Sequence, residues 1–547
     1  MGILTVVEDR PTPPQVYNWR IYLLAAIASS ASCMIGYDSA FIGQTIELQS
    51  FRDEFNFGEW PAAKQNLVKA NIVSLYQAGA FFGALLAYPI GFYCGRKWGL
   101  WVAGMIFTLG AGLMLGTNGD RGLDLMYVGR VLAGIGVGSG SNLTPIYISE
   151  LSPPAIRGRL VGIYELGWQI GGLVGFWINF GVSQHLPVSH KQWIIPFAVQ
   201  LIPSGLLLVG VVFIRESPRW LFGRGRRQEA IATLCWIRQL PEHDVYIVEE
   251  IGAIDQAIDE QNAHIGPGFW NPFRAAGTNP RVMWRLFLGF MLFFWQNCSG
   301  INAINYYSPT VFNSMGITGS LNQQMSGIFG VVKTVVTWIW LLFLIDHLGR
   351  RKLLIGGAVG GSISLWIIGA YIKIKEPEHN ASAKLDSAGI MAIVFFYIYT
   401  ATFSPTWNGT PWVLNAEMFD PNMRSLAQAV ASSSNWLWNF LISRFTPQMF
   451  ANMGYGVYFF FASLMIISTF FVFVFIPETK GVPLERMDRL FQIKPVWRSH
   501  GHIIAQLGDE EAESCSAMQV SNSYDGKPKD EFGRPTLGIP PPIIKCC

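Results

Sequence analysis

The residues in this chain that could do chemistry sit inside apolar runs, where polar groups are costly. Asp38, in GYDSA, lies deep in the first such run. An ionisable group at the bilayer centre costs roughly 2.5–3.5 kcal/mol on insertion scales, so a carboxylate there marks a partner or a pathway. Arg130, in the fourth run, is the candidate partner. An aspartate that holds an arginine when charged and releases it when protonated couples a proton to a conformational equilibrium. A fixed ion pair that only orients two helices is the alternative.

Lys333, in GVVKTVVTW, lies midway along a later apolar run, too deep to snorkel easily. Facing a cavity, it would offer a counter-charge to an anionic ligand. Otherwise it pairs with a carboxylate on a neighbouring helix; Glu165, one turn before Gln169, is a possible partner, or alternatively faces the lumen or a neighbouring helix. Gln169, Gln296, Asn297, Asn302 and Asn435 can each donate and accept, and Trp412 offers an aromatic face. That is the combination a polyhydroxylated ring requires. A packing hydrogen bond explains any one of these amides, but explains their recurrence at comparable depth in both halves poorly.

The elements that must position these groups follow from composition. Of 547 residues 51% are hydrophobic and 14% charged, the charged share being roughly half that of a soluble domain. Twelve membrane helices of about 20 residues would use roughly 240 residues, which the chain can supply. Disorder, collagen and a disulfide scaffold are excluded. A net charge of +3 without a basic stripe excludes nucleic acid as a partner, and seven scattered cysteines give no disulfide framework. No P-loop, HExxH or CxxC pattern occurs, and no nucleophile or acid–base pair converges. No metal, cofactor or enzymatic activity is therefore expected.

Apolar runs fall near 21–42, 67–90, 98–117, 124–146, 159–182 and 192–213, then near 286–306, 323–345, 353–374, 388–414, 425–444 and 455–476. The fold class expected is an all-α membrane protein of twelve transmembrane helices in two pseudo-symmetric six-helix bundles. Residues 1–20 read as a polar cytoplasmic segment lacking a secretory signal, 21–213 as the first bundle and 285–476 as the second. Residues 214–284 read as a cytoplasmic helical linker, and 477–547 as a cytoplasmic tail disordered after about 500. Cations gather at Arg96-Lys97, Arg157, Arg350-Arg351-Lys352 and Arg424, which places these loops and both termini inside. Asn380-Ala381-Ser382 is then an external glycosylation acceptor.

Two signatures recur in both halves. Gly95-Arg96-Lys97 follows the second run, and Asp346 through Arg350-Arg351 follows the eighth. Glu150 precedes Arg157 by seven residues, as Glu417 precedes Arg424. Carboxylates at helix ends with nearby arginines can form ion pairs between neighbouring helices that hold one face shut and break when it opens. Glu150, Arg157, Asp346, Arg350, Glu417 and Arg424 are the candidate gating residues.

Over about 20–490 the chain resembles the sugar porter family of the major facilitator superfamily. The resemblance rests on Gly129-Arg130, the Pro145–Arg157 segment, Glu216-Ser217-Pro218-Arg219, QNCSGINAINYY (296–307) and Pro477-Glu478-Thr479-Lys480-Gly481. Its N-terminal half is similar to that of fungal quinate permeases. The resemblance implies proton symport through Asp38, and hexose-site positions at the amides and Trp412. Lys333 stands where hexose carriers of the family place an asparagine, so the expected substrate is quinate or a related ring hydroxy acid. A neutral hexose or polyol carrier and a non-transporting nutrient sensor are the alternatives. The expected setting is the plasma membrane, with the protein working as a monomer. Phe92 and Tyr93 replace the family's usual Asp-Arg pair, so the first-half gate is expected to be the weaker one.

Overall fold

The computed structural model describes residues 12–264, 266, 268–344, 348–377, 386–419, 423–480, 482 and 487–506. Asp346, Asn380 and the tail beyond 506 lie outside the described residues.

The first six spans are Trp19–Thr45, Ala62–Tyr93, Arg96–Leu115, Asp124–Leu151, Arg157–His185 and a pair, His190–Val199 with Leu201–Phe213. The seventh span is broken into Pro280–Asn297 and Ile301–Ser314, and the eighth is Ser320–Ile339. Arg350–Lys375 follows as the ninth. The tenth is Ser387–Phe403 and Thr410–Glu417, joined by a π-helical turn over Ser404–Asn408. Arg424–Met453 and Gly456–Phe475 complete the set. Between the halves run, among the described residues, four linker helices, Pro218–Gly223, Arg227–Arg238, Val245–His264 and Asn271–Thr278.

Two large apolar cores, each drawn mainly from one half, hold the bundles together; Tyr306, Tyr307 and Trp436 join the first and Ala40 and Phe176 the second. Among the described residues, eight of the twelve spans are long and apolar enough to cross a membrane by composition alone. The fourth, fifth, seventh and eleventh fall short because they carry Arg130, Glu165, a mid-span break and Arg444, among other polar residues. Irregular or polar backbone survives at membrane depth only where protein or an aqueous cavity surrounds it. Leu206, Val209 and Phe213 of the sixth span and Phe470 of the twelfth are instead 61–75% exposed, as lipid-facing side chains should be.

The eighth span shows how pattern selects a face. Its buried stripe runs Asn322, Ser326, Gly330, Lys333 and Thr337, at the three-to-four-residue spacing of one helical side. Ile328, Val331, Val335 and Trp338 point outward. Lys333 is therefore turned inward by the same periodicity that turns its apolar neighbours toward lipid. In the seventh span the break falls at Cys298–Gly300. Gly300 has φ +86°, and a Cβ there would strike the Phe461 ring, so glycine alone lets the helix restart at this angle.

Candidate functional site

A cavity enclosing about 550 Å³ of empty space, open solvent included, lies where the halves meet. The seventh span contributes Gln296, Asn302, Asn305 and Tyr306, on either side of its break. The tenth contributes Asn408 and Trp412, the eleventh Asn435 and Asn439, and the eighth Lys333. Ser39, Glu165 and Trp168 close it from the first half. A smaller compartment of about 280 Å³ adjoins it, lined by Gln169 and sharing Ser39, Trp168, Asn305 and Lys333. Lys333 thus stands where the two compartments meet.

Of the substrate residues expected from the sequence, Gln296, Asn302, Lys333, Trp412 and Asn435 line the larger compartment and Gln169 the smaller. Asn297 lines neither; it is fully buried behind the wall. Its Oδ1 accepts from Asn302 Nδ2, and its Nδ2 donates to Asn435 Oδ1 at 3.1 Å. It therefore braces two amides that do line the cavity. Gln296 Nε2 donates to the carbonyls of Trp407 and Asn408, at 2.7 and 2.8 Å, in the π-helical turn of the tenth span. That bend frees a carbonyl pair which the seventh span uses. Trp412 packs edge-on to Phe293 at 4.4 Å, which fixes its ring plane.

Sequence reasoning missed Asn305, Tyr306, Asn408, Asn439 and Trp168. The signal was one helical turn: Asn305 and Tyr306 follow Asn302 by three and four residues, Asn439 follows Asn435 by four, and Asn408 precedes Trp412 by four. Asn408 matches a glycosylation triplet within a span; here it donates to Glu165 Oε1 at 2.7 Å. Lys333 Nζ lies 3.4 Å from Asn305 Oδ1. No ion pair within 4.0 Å joins it to Glu165, so that structural pairing is not formed.

Asp38 and Arg130 do meet. Both are fully buried, and Arg130 Nη1 donates to Asp38 Oδ1. Arg130 Nε also donates to the Ile72 carbonyl at 2.8 Å, and its guanidinium lies 4.5 Å from the Tyr76 ring centre. Asp38 Oδ2 has no hydrogen-bond partner among the described residues. Ser39, the next residue, lines both compartments, so the pair sits beside the cavity without entering it.

The recurring signatures combine into one cluster per half. Arg96 grips Glu150 through Nε and Nη2 at 3.0 and 2.8 Å, and Arg350 grips Glu417 through Nε and Nη2 at 3.1 and 2.7 Å. Glu216 accepts from the backbone N–H groups of Arg96 and Lys97, and Glu478 accepts from those of Arg350 and Arg351. Burial holds the Glu216 carboxyl above the usual carboxylate range, while the Ser217, Lys97 and Arg96 amides pull it back. Arg157 and Arg424 begin the spans just beyond these clusters. Arg96, Glu216 and Glu478 were absent from the expected gating set, although all three stand in quoted motifs. The two grips differ: Arg96 spreads its donors over both Glu150 oxygens, whereas those of Arg350 converge on Glu417 Oε1 and Thr479 Oγ1 donates to Oε2 at 2.6 Å.

Phe92 and Tyr93 are engaged differently. With Tyr88 they pack around Phe269 of the linker at ring distances of 5.1–5.6 Å, and Arg224 lies 4.4 Å from the Phe92 ring centre. Phe269 lies two residues before the start of Asn271–Thr278, the helix leading into the seventh span. An aromatic contact thus joins the end of the second span to the approach of the second half.

Residues 24–491 match the family described as "Sugar (and other) transporter". The chain belongs to this family. A protein of Aspergillus flavus named "Probable quinate permease" is 71% identical over 512 residues, covering 93% of this chain and 95% of that one. One of Aspergillus niger with the same name is 69% identical over 527 residues, covering 96% and 98%. The structure of the major facilitator proton:xylose symporter XylE bound to 6-bromo-6-deoxy-D-glucose matches with a TM-score of 0.70 at 27% identity. It covers 86% of this chain and 99% of that one. XylE from E. coli in a partially occluded inward-open conformation matches with a TM-score of 0.69 at 25% identity, covering 85% and 100%. The fold is that of the major facilitator superfamily, and the chain is a multi-pass membrane transporter of the sugar-porter type.

Proposed function

We propose that the protein imports quinate, or a closely related ring hydroxy acid, by proton symport across the plasma membrane. One observation carries the choice of substrate: a buried ammonium, Lys333, stands in a wall built mainly of amides and aromatic rings, in which Glu165 is the other charged side chain. Amides and Trp412 suit hydroxyls and the C–H face of a ring, and Lys333 supplies what a carboxylate needs. Relatives named quinate permeases, about 70% identical over nearly the whole chain, support the same reading.

Each half rocks as a unit about the central cavity, exposing it to one side and then the other. The termini, the linker and the arginine–carboxylate clusters face the cytoplasm, and one chain carries a complete site. The Glu150 and Glu417 clusters, with Arg157 and Arg424 beside them, loosen as the inner face opens. Protonation of Asp38 releases Arg130 and favours the turn inward, and its loss to the cytoplasm resets the carrier.

The test is uptake of labelled quinate into proteoliposomes with and without an inward proton gradient, with glucose, inositol and shikimate as competitors. Gradient-driven accumulation that resists glucose is expected; uptake of glucose alone would overturn the reading. Lys333→Asn should weaken quinate binding by roughly 10- to 150-fold, the worth of a charged hydrogen bond of about 1.5–3 kcal/mol. A neutral polyol should lose far less, and equal losses for both would remove carboxylate recognition from the account.

A further inference from the structure

We infer that Glu165 is a second proton site, inside the cavity, and that it takes up a proton when the anionic substrate binds. The inference rests on the reading of Lys333 as the substrate carboxylate's counter-charge. Glu165 projects from the fifth span into the same compartment as Lys333 of the eighth. The two charges interact, yet no ion pair within 4.0 Å neutralises them locally. Gln169 Nε2 and Asn408 Nδ2 both donate to Glu165 Oε1, at 2.8 and 2.7 Å. Among the described residues nothing bonds to Oε2, which leaves that oxygen as the place for a proton.

Charge counting then decides the protonation state. The titratable side chains lining the larger compartment are Glu165, Lys333 and Tyr306, and Tyr164 adjoins Glu165 on its own span. With both tyrosines neutral, the empty cavity holds one positive and one negative charge. A bound carboxylate adds a second negative charge, and a like charge beside Glu165 favours its protonated form. A proton on Glu165 Oε2 restores neutrality and frees Lys333 for the substrate. Asp38 cannot do this in place of Glu165, because it is held by Arg130 outside the cavity wall. Each cycle then carries one quinate anion with two protons, one on Asp38 and one on Glu165, and moves one net positive charge inward.

Glu165→Gln keeps an oxygen to accept from Gln169 and Asn408 while removing the proton site. In proteoliposomes with a clamped potential, wild-type uptake should rise with an inside-negative potential. Glu165→Gln, moving one proton per anion, should be indifferent to it; full potential dependence in the variant would overturn the inference. A second readout needs no turnover: quinate affinity of the purified full chain against pH. The wild type should lose affinity about tenfold more per pH unit than Glu165→Gln where the group titrates, whereas equal slopes would overturn the proposal. Should the variant not bind, proton uptake on quinate binding, measured on the wild type in two buffers of different ionisation heat, decides alone. Absence of proton uptake overturns the proposal. Failure of the wild type to bind quinate at all would instead remove the functional reading beneath it.

Discussion

At the scale of residues, buried charge separates two tasks. Asp38 and Arg130 satisfy each other outside the cavity, whereas Lys333 and Glu165 face the space between the halves without closing on one another. Breaking a buried pair by neutralising one member is costly because the other charge stays buried. Asp38→Asn is nevertheless expected to leave quinate exchange measurable, since the substrate wall is intact, and to abolish proton-driven accumulation. Persistence of uphill uptake in counterflow-competent vesicles would remove Asp38 from the coupling. Lys333 and the amides were legible in the sequence because isolated polar residues in apolar runs need a reason. Asn297 looked the same yet serves as a brace, since the direction of its side chain is set by the break at Gly300. Glu165 was visible as a residue but not as a role, because its partner Asn408 comes from the other half, 243 positions away.

At the scale of elements, two glycines and one aromatic cluster fix how spans end. Gly95 and Gly349 have φ of +93° and +83°, and a Cβ at either would collide with the carboxylate of Glu216 or Glu478. The left-handed turn and the bare Cα together let each carboxylate reach two successive backbone amides. Gly95→Ala and Gly349→Ala should each cost about 1–3 kcal/mol and lower the melting temperature of the purified protein; unchanged melting would show that the clusters tolerate displacement. The aromatic cluster was not legible, because Phe92 and Tyr93 show only that a family charge pair is missing, while the ring that fills the gap, Phe269, lies in the linker. Aromatic contacts of this kind contribute roughly 0.5–1.5 kcal/mol each and are not screened by salt. Phe269→Ala should therefore speed proteolysis of the linker, and wild-type resistance should be equal at low and high ionic strength. A wild-type linker that opens in high salt would assign its closure to ion pairs instead.

At the scale of the whole molecule, the halves share an architecture and divide the work. The twelve spans and their duplication were readable from apolar runs and repeated motifs, since both follow from local pattern. The division of labour was not, because it depends on which faces meet. Most of the cavity wall comes from the second half and the buried Asp38–Arg130 pair from the first, so on the proposed mechanism part of the link between proton and substrate runs across the interface. One contact chain crosses it there. Arg130 lies over Tyr76, Tyr76 meets the Trp436 ring edge-on at 6.2 Å, and Trp436 Nε1 donates to Ser141 Oγ at 3.1 Å. Trp436 also stacks with Trp168 of the cavity wall at 6.5 Å and directly follows Asn435. On the proposed mechanism, a residue that touches Tyr76 beside the Asp38–Arg130 pair and also the cavity wall is placed to make each sense the other, which is a coupling free energy and not a contribution to either site alone. Trp436→Phe keeps most of the packing and removes the indole N–H. It should reduce the ratio of accumulated to external quinate by several-fold while exchange at zero gradient changes little, consistent with coupling changes of about 0.5–2 kcal/mol for such positions. Equal loss of exchange and accumulation would reduce Trp436 to a packing residue and leave the path between the halves to Ser39 and Tyr306.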